Sequence, residues 1–234
     1  MGDGPLNAFT VDVEDYFQVS ALEGVFPREA WDGVPLRFED GVHRIMALLE
    51  QAGTKGTFFV MGWIAEKRPR LIAEIARQGH EVGCHSFDHR LIYNLSPEEF
   101  RADLRRALRA VQDATGARCS LYRAPSFSVT GKCLWALRVM AEEGITLDSS
   151  VYPVRHDRYG LPGAPRGPYR PLADFPGFVE FPPASFRLFG LTLPCAGGGY
   201  LRIYPLSLTR LALRRINGGE RRPAIVYVHP WELD

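Results

Sequence analysis

An α/β fold wrapped round a parallel sheet is what this sequence predicts, and three observations predict it. Short β-branched apolar runs alternate with amphipathic helical stretches, glycines and capping residues stand at the joins, and polar side chains recur directly after the apolar runs. In parallel βα architectures chemistry gathers where strands end and loops begin. The third observation therefore bears on function as well as fold.

In chain order, "AFTVDV" from Ala8 reads as the first strand, because Thr10, Val11 and Val13 suit a buried strand. A helix near Phe38 to Gln51, the strand "GTFFVM", a helix near Arg70 to Gln78 and the strand "HEVGCH" continue the rhythm. The next helix has the clearest start: Ser96 can cap, Pro97 fits the first turn and Glu99 completes a capping box. Phe100, Leu104, Leu108 and Val111 then share one helical face, and Gly53, Gly79 and Gly116 fall where helices would stop. "SLY", the helix "CLWALRVMAEEGI" and the strand "ITL" come next. "RYGLPGAPRGPYRPL", from Arg158 to Leu172, is a long surface excursion dense in Pro, Gly and Arg. "VEFP", a helix near Leu206 to Ile216 and the buried strand "AIVYVH" complete the pattern, with no internal repeat.

The 234 residues, 46% hydrophobic and 24% charged, suit one large globular domain over 1–234. A formal charge of +1 argues against a nucleic-acid or membrane-surface role resting on bulk charge, so any recognition must be local. The start lacks a basic segment followed by an apolar run, and no stretch approaches the length of a membrane span, so the expectation is a cytoplasmic protein without a transmembrane segment. Cys84, Cys119, Cys133 and Cys195 form no CxxC pair and read as buried reduced thiols.

"TVDVED" is the anomaly: Asp12, Glu14 and Asp15 crowd a strand that should be buried, where an unpaired carboxylate costs several kcal/mol. Strand alternation puts Asp12 and Glu14 on one face; Asp15 joins them only if the strand has turned into loop, and otherwise caps the next segment. "HSFDH" sets His85 and His89 four apart, near enough to aim both imidazoles at one ion. Two histidines and a carboxylate leave open positions for water, as a hydrolytic divalent ion needs. Arg123, Asp148 and His229 also come directly after apolar runs, making five strand ends that deliver polar groups with Asp12 and His85. "GGGY" at Gly197–Tyr200 reads as a tight turn, since no Lys-Ser/Thr comes after it and no helix is expected to start there. Arg214, Arg215, Arg221 and Arg222 read as a solvated charged face or a contact for an acidic glycan or partner.

The ordered series "TVDVED", "HSFDH", "RAPSFS", "LDSS" and "VYVHPWE" resembles the polysaccharide deacetylase family, also called the NodB-homology or carbohydrate esterase 4 family. It looks most like the subgroup found beside exopolysaccharide and exosortase loci, and the likeness extends to "LPCAGGGYLRIYP" and "HPWELD". The resemblance implies an irregular (β/α)-barrel with fewer than eight complete βα units. It also implies metal-dependent removal of N-acetyl groups from a sugar. By that resemblance Asp12 matches the catalytic base, His85 and His89 match metal ligands, and Glu14 or Asp15 supplies the third ligand, Glu14 being favoured by alternation. Arg123 matches an arginine that steadies the base, His229 the acid that protonates the leaving amine, and Asp148 the aspartate that orients and charges that histidine.

Two departures from the family pattern are visible: Val13 stands where a second aspartate is usual, and Ser126 where an aromatic is usual. The second leaves Ser126 a backbone role and removes a wall of the substrate groove. Phe127, Tyr200 and Trp231 are candidates to stack on sugar rings, with core packing as the alternative. Zinc is the default ion, although cobalt, nickel or iron fit the same ligands. The implied substrate is a polysaccharide or lipid-linked oligosaccharide; the rivals are hydrolysis of another amide, in peptidoglycan or a small cyclic amide, and a non-catalytic glycan-binding member of the fold. Relatives usually continue beyond the last motif, so continuation of the natural chain past Asp234 is left open.

Overall fold

The computed structural model describes residues 4–195 and 197–233. Asp234, where the question of continuation arises, lies outside the described residues. Seven strands form one sheet: β1 (Ala8–Val13), β2 (Thr57–Val60), β3 (Glu81–Cys84), β4 (Leu121–Tyr122), β5 (Leu147–Asp148), β6 (Val179–Glu180) and, last in the chain, β9 (Ile225–Val228). Their spatial order is β6-β5-β4-β3-β2-β1-β9, and every pairing is parallel. The sheet curls into a half-barrel with incomplete βα units, the irregular barrel expected. Between β6 and β9 stands an antiparallel hairpin of β7 (Ser185–Leu188) and β8 (Leu191–Pro194). Its flanks pair with the outer edge of β9, Ala184 N–H donating to Ile225 O (3.1 Å) and Gly198 N–H to Tyr227 O (3.0 Å). That edge is thereby covered rather than left open for another chain.

Seven α-helices accompany the sheet among the described residues: α1 (Phe38–Gln51), α2 (Gly62–Lys67), α3 (Pro69–Arg77), α4 (Pro97–Thr115), α5 (Trp135–Glu142), α6 (Gly199–Ile203) and α7 (Leu206–Arg214). Of these, α3 and α4 pack on β3. Helix α4 starts as its sequence dictates: Ser96 Oγ accepts the Glu99 N–H, Glu99 accepts the Ser96 N–H, and Gly116 ends the helix in a left-handed conformation. Phe100, Leu104, Ala107 and Val111 form its buried stripe. One core cluster runs from Val11 to Phe178; a smaller one lies under the hairpin, where Phe186, Cys195, Ala212 and Ile216 meet.

Four details differ from the sequence expectations. The short helix α2 and the β7–β8 hairpin have no counterpart among the expected elements. The "GGGY" segment is not only a turn, because α6 starts at Gly199, entered through Gly198 at φ 48°, ψ −133°. The last long helix stops at Arg214 and widens into a π-turn over Arg215–Gly219. All four cysteines are free and buried, as expected. Among the described residues no helix is long and apolar enough to cross a membrane.

Candidate active site

The site is built from the inward face of β1. Thr10 and Asp12 share that face through the two-residue repeat of the strand, and Glu14 stands just past its end, where the chain has begun to turn. Opposite them stands Arg123, immediately after β4 and fully buried. Its Nη1 donates to Asp12 Oδ1 (2.6 Å) and Thr10 Oγ1 (2.8 Å), and its Nη2 donates to Ser149 Oγ (3.0 Å). The guanidinium lies 4.3 Å from the centroid of the Phe59 ring. A buried cation is tolerable when an anion and further acceptors meet it, and this set does so. One consequence is directional: with Oδ1 held, Asp12 presents Oδ2 to the open side of the site.

The loop after β3 carries the two histidines through costly backbone: Ser86 and His89 have φ of 60° and 55°. Several contacts hold it there. Asp103 on α4 accepts the Phe87 N–H (2.9 Å) and the Asp88 N–H (3.3 Å), and Ser86 Oγ accepts the His89 N–H (3.0 Å). His85 Nδ1 donates to the Arg123 carbonyl (2.8 Å), which leaves the Nε2 lone pair facing the site.

Glu14 Oε2 lies 2.7 Å from His89 Nε2 and 3.8 Å from His85 Nε2. One ligand atom from each of the three residues falls within 4.8 Å of the others, and all three residues are buried. Burial alone would raise the Glu14 pKa, but His89 above all, with His229 and His85, pulls it down to about 2. Burial pushes His85 down to about 4, so its imidazole is neutral at pH 7. An ionised carboxylate and two imidazoles converging on one point are the donor set of a divalent ion, and these residues fit one.

Asp15 takes the capping alternative. Its Oδ1 accepts the Tyr16 N–H (2.8 Å), and its Oδ2 accepts the N–H groups of Arg37 (2.6 Å) and Phe38 (3.2 Å) at the start of α1. With both oxygens committed to backbone, it stands outside the Glu14–His85–His89 cluster.

His229 stands just after β9, with Nε2 4.0 Å from Asp12 Oδ2 and 3.6 Å from Glu14 Oε1. The expected partner, Asp148, is not the one it has. Glu232, one 3-10 turn further on, accepts the His229 backbone N–H (2.8 Å) and lies 3.2 Å from Nδ1. Burial would lower the His229 pKa, but Glu232, Glu14 and Asp12 together raise it to about 9, so the ring is protonated at pH 7. Asp148 instead pairs across the β5–β6 register with Glu180 and accepts from Ser150 Oγ. Both carboxyls are fully buried, and desolvation raises both pKa values. Asp148 Oδ2 and Glu180 Oε2 have no hydrogen-bond partner among the other described residues, and desolvation favours the protonated form of each carboxyl.

The remaining candidates separate. Phe127 packs with Tyr152 and Tyr227 in a small aromatic core and is only 5% exposed, so it offers no face to a sugar. Trp231 stacks on His229 (5.1 Å between centroids) and reaches Glu14 Oε1 with its indole N–H (3.4 Å), bracing the site rather than walling it. Tyr200 is half-buried, with its hydroxyl on that of Tyr159 (2.9 Å). Ser126 Oγ meets Ser20 Oγ (2.8 Å) beside a groove of about 380 Å³ that reaches His89 and is lined by Gln18, Ser20, Arg28 and Arg90. Thr10, Asp103, Ser149, Glu180 and Glu232 join the site without being among the candidates from sequence. Thr10 is readable by alternation from Asp12, and Glu232 by its spacing of three from His229.

Strand-end acids, a basic histidine and a two-histidine, one-carboxylate cluster on a parallel half-barrel define a hydrolase class. Residues 30–145 match the family model described as Polysaccharide deacetylase, and residues 149–234 match a Domain of unknown function (DUF3473). The chain carries a domain of the polysaccharide deacetylase (NodB-homology, carbohydrate esterase 4) family. It is 36% identical over 73 residues to a peptidoglycan-N-acetylglucosamine deacetylase of Bacillus cereus, a stretch covering 29% of this chain and 26% of that protein. The chain thus spans about a quarter of that relative's length. Among solved structures, a putative polysaccharide deacetylase from Mycobacterium smegmatis superposes over 99% of this chain and 79% of that one, with a TM-score of 0.67 at 22% identity. A carbohydrate esterase 4 family pseudoenzyme from Bacillus anthracis superposes over 98% of this chain and 56% of that one, with a TM-score of 0.53 at 17% identity. At those identities the likeness is one of fold.

Proposed function

We propose that this protein is a metal-dependent N-deacetylase acting on N-acetylhexosamine units of a bacterial exopolysaccharide or its lipid-linked precursor. The observation that carries the reading is a convergence: a clamped Asp12 and a protonated His229 face each other across 4.0 Å beside the Glu14–His85–His89 cluster. A binding module has no need of that set. The region matched to the deacetylase model supplies the histidine pair, and the region matched to DUF3473 supplies His229. We therefore treat 1–234 as one catalytic domain.

Glu14, His85 and His89 would hold a divalent ion, zinc by default, which when bound supplies Lewis acidity toward a carbonyl and lowers the pKa of water. Asp12, with Oδ1 on Arg123 and Oδ2 free, takes the proton of the attacking water. His229 gives its Nε2 proton to the departing amine, which without it is too poor a leaving group. Glu232 holds Nδ1 and favours the imidazolium. Trp231 keeps Glu14 and His229 in register.

The test is acetate release from N-acetylglucosamine oligomers and from crude bacterial exopolysaccharide, with and without chelator and added zinc. Wild type should release acetate in a chelator-sensitive way. Asp12→Asn and His229→Ala should each lose about 10²–10⁴-fold. His229→Ala should recover on an aryl acetate, whose leaving group departs without a proton, whereas Asp12→Asn should not. Turnover of another amide with none of acetylated sugars would reassign the substrate. Glycan binding indifferent to chelator and to Asp12→Asn, with no turnover, would make the protein a non-catalytic member of the fold.

A further inference from the structure

The stretch 181–219 contains five arginines and neither Asp nor Glu, although the whole chain carries only +1. In the structure this stretch forms one lobe: Phe186 and Leu193 of the hairpin pack on Ala212, Leu213 and Ile216 in the second core. Its outside is unusually apolar. Leu191, Ile203, Leu206 and Leu211 are each more than half exposed. On α7, Leu206, Arg210, Leu211 and Arg214 occupy the arc opposite the buried Thr209 and Ala212.

The hairpin tip is the sharpest observation. Phe189 and Gly190 make its two-residue turn with φ of 49° and 82°. Such turns favour Asn-Gly or Asp-Gly, because a bulky side chain at positive φ is strained. Phe189 is 96% exposed, so folding gains nothing from the ring to offset that strain. Most arginines of the lobe also lack an acidic partner among the described residues. Arg202 pairs with Glu232 (3.1 Å), but Arg187, Arg210, Arg214 and Arg215 have no ion-pair partner among the described residues.

We propose that this lobe docks the protein on an anionic phospholipid surface, with Phe189 and Leu191 entering the acyl boundary and the arginines meeting headgroup phosphates. Apolar side chains interleaved with basic ones, without acids, are the pattern of an interfacial element. An acidic glycan would answer the arginines but leave the apolar tip in water. A second copy of the chain would bring like charges together. The lobe also adjoins the active site: Gly198, just before α6, lies against Tyr227 and His229, and Arg202 grips the glutamate behind His229. Docking would hold the site at the membrane face. The proposal concerns a surface and stands whether or not the catalytic reading does.

The experiment is co-sedimentation of the full chain with phosphatidylcholine vesicles, with and without phosphatidylglycerol, across a salt series. Binding should require phosphatidylglycerol and weaken as salt screens the arginines. Arg210→Gln and Arg214→Gln should each weaken it about fivefold, the equivalent of ~1 kcal/mol per basic residue. Phe189→Ser with Leu191→Ser should weaken it at least about tenfold. Phe189→Trp should blue-shift in fluorescence on phosphatidylglycerol vesicles only. None of these residues belongs to the active site, so hydrolysis of an aryl acetate in free solution should be unchanged. Failure to bind, or binding indifferent to the tip and arginine variants, would overturn the proposal. So would a dimer in sedimentation equilibrium that Phe189→Ser dissolves, or arginine-dependent binding of an acidic glycan with none to vesicles.

Discussion

The two sides of the active site are held by different means. On the side supplied by residues 8–148, Asp12, Glu14, His85, His89 and Arg123 are buried at strand ends and tied into a shared hydrogen-bond network. On the side supplied by residues 149–233, the His229 side chain remains 17% exposed and is held by a glutamate on a short 3-10 turn and by a half-buried tryptophan. The first arrangement fixes geometry at the cost of burying charge; the second tunes a proton near water. Substitutions on the first side should therefore unfold and inactivate together, and those on the second should change chemistry alone.

The largest effect is expected at Arg123. Arg123→Met leaves the Asp12 carboxylate buried without its cation, which should cost about 3–5 kcal/mol in urea denaturation. Arg123→Met combined with Asp12→Asn removes both charges and should recover most of that stability without restoring activity. If the single variant were as stable as wild type, the strand-end network would not be what holds this side.

Asp103 tests the same side at its periphery. Burial raises its pKa to about 6 against the two backbone N–H groups it accepts. A folded-state pKa above the ordinary carboxylate value means that the native protein holds the proton more tightly than the unfolded chain. The stabilising contribution is then full below about pH 4 and is lost as pH rises through about 6. Because the side chain retains some contact with water, the change should be ~1–2 kcal/mol. Asp103→Asn should flatten that part of the stability profile. It should also weaken zinc binding roughly tenfold in a competition titration, since the loop carrying His85 and His89 loses an acceptor.

The same contrast decides what is legible in the sequence. Where a side chain's place is set by a periodic rule, the sequence locates it: alternation puts Glu14 on the face of Asp12, beside the histidines, and the capping box locates α4. Reading stops where a partner is set by tertiary register. β5 and β6 are two residues each, too short to show a period, and Asp148 meets Glu180 only after the chain has crossed the whole Pro-Gly-Arg excursion. Phe127 reads from sequence as a candidate platform for sugar; its positive φ of 51° accompanies a ring turned into the core, which composition does not encode. The helix at "GGGY" escapes reading because a backbone conformation open to Gly198 admits the chain to a helix that no capping side chain announces.

The smallest expected effect discriminates most finely, because it asks which carboxylate tunes His229. Glu232→Gln is nearly isosteric and keeps an acceptor for the His229 backbone N–H while removing one negative charge beside Nδ1. A histidine whose pKa is raised is a competent acid below that pKa and is lost as pH rises through it. Removing the charge should move the alkaline limb of kcat/KM toward lower pH by about one unit, with less than about a tenfold change at neutral pH, where the ring stays largely protonated. Asp148→Asn should leave that limb in place, because Asp148 faces Glu180 across the β5–β6 register while Nδ1 of His229 faces Glu232. The reverse pattern, a limb moved by Asp148→Asn and indifferent to Glu232→Gln, would mean that the histidine is tuned from the buried strand ends after all, and the distinction between a fixed side and a tunable one would fail where it matters most.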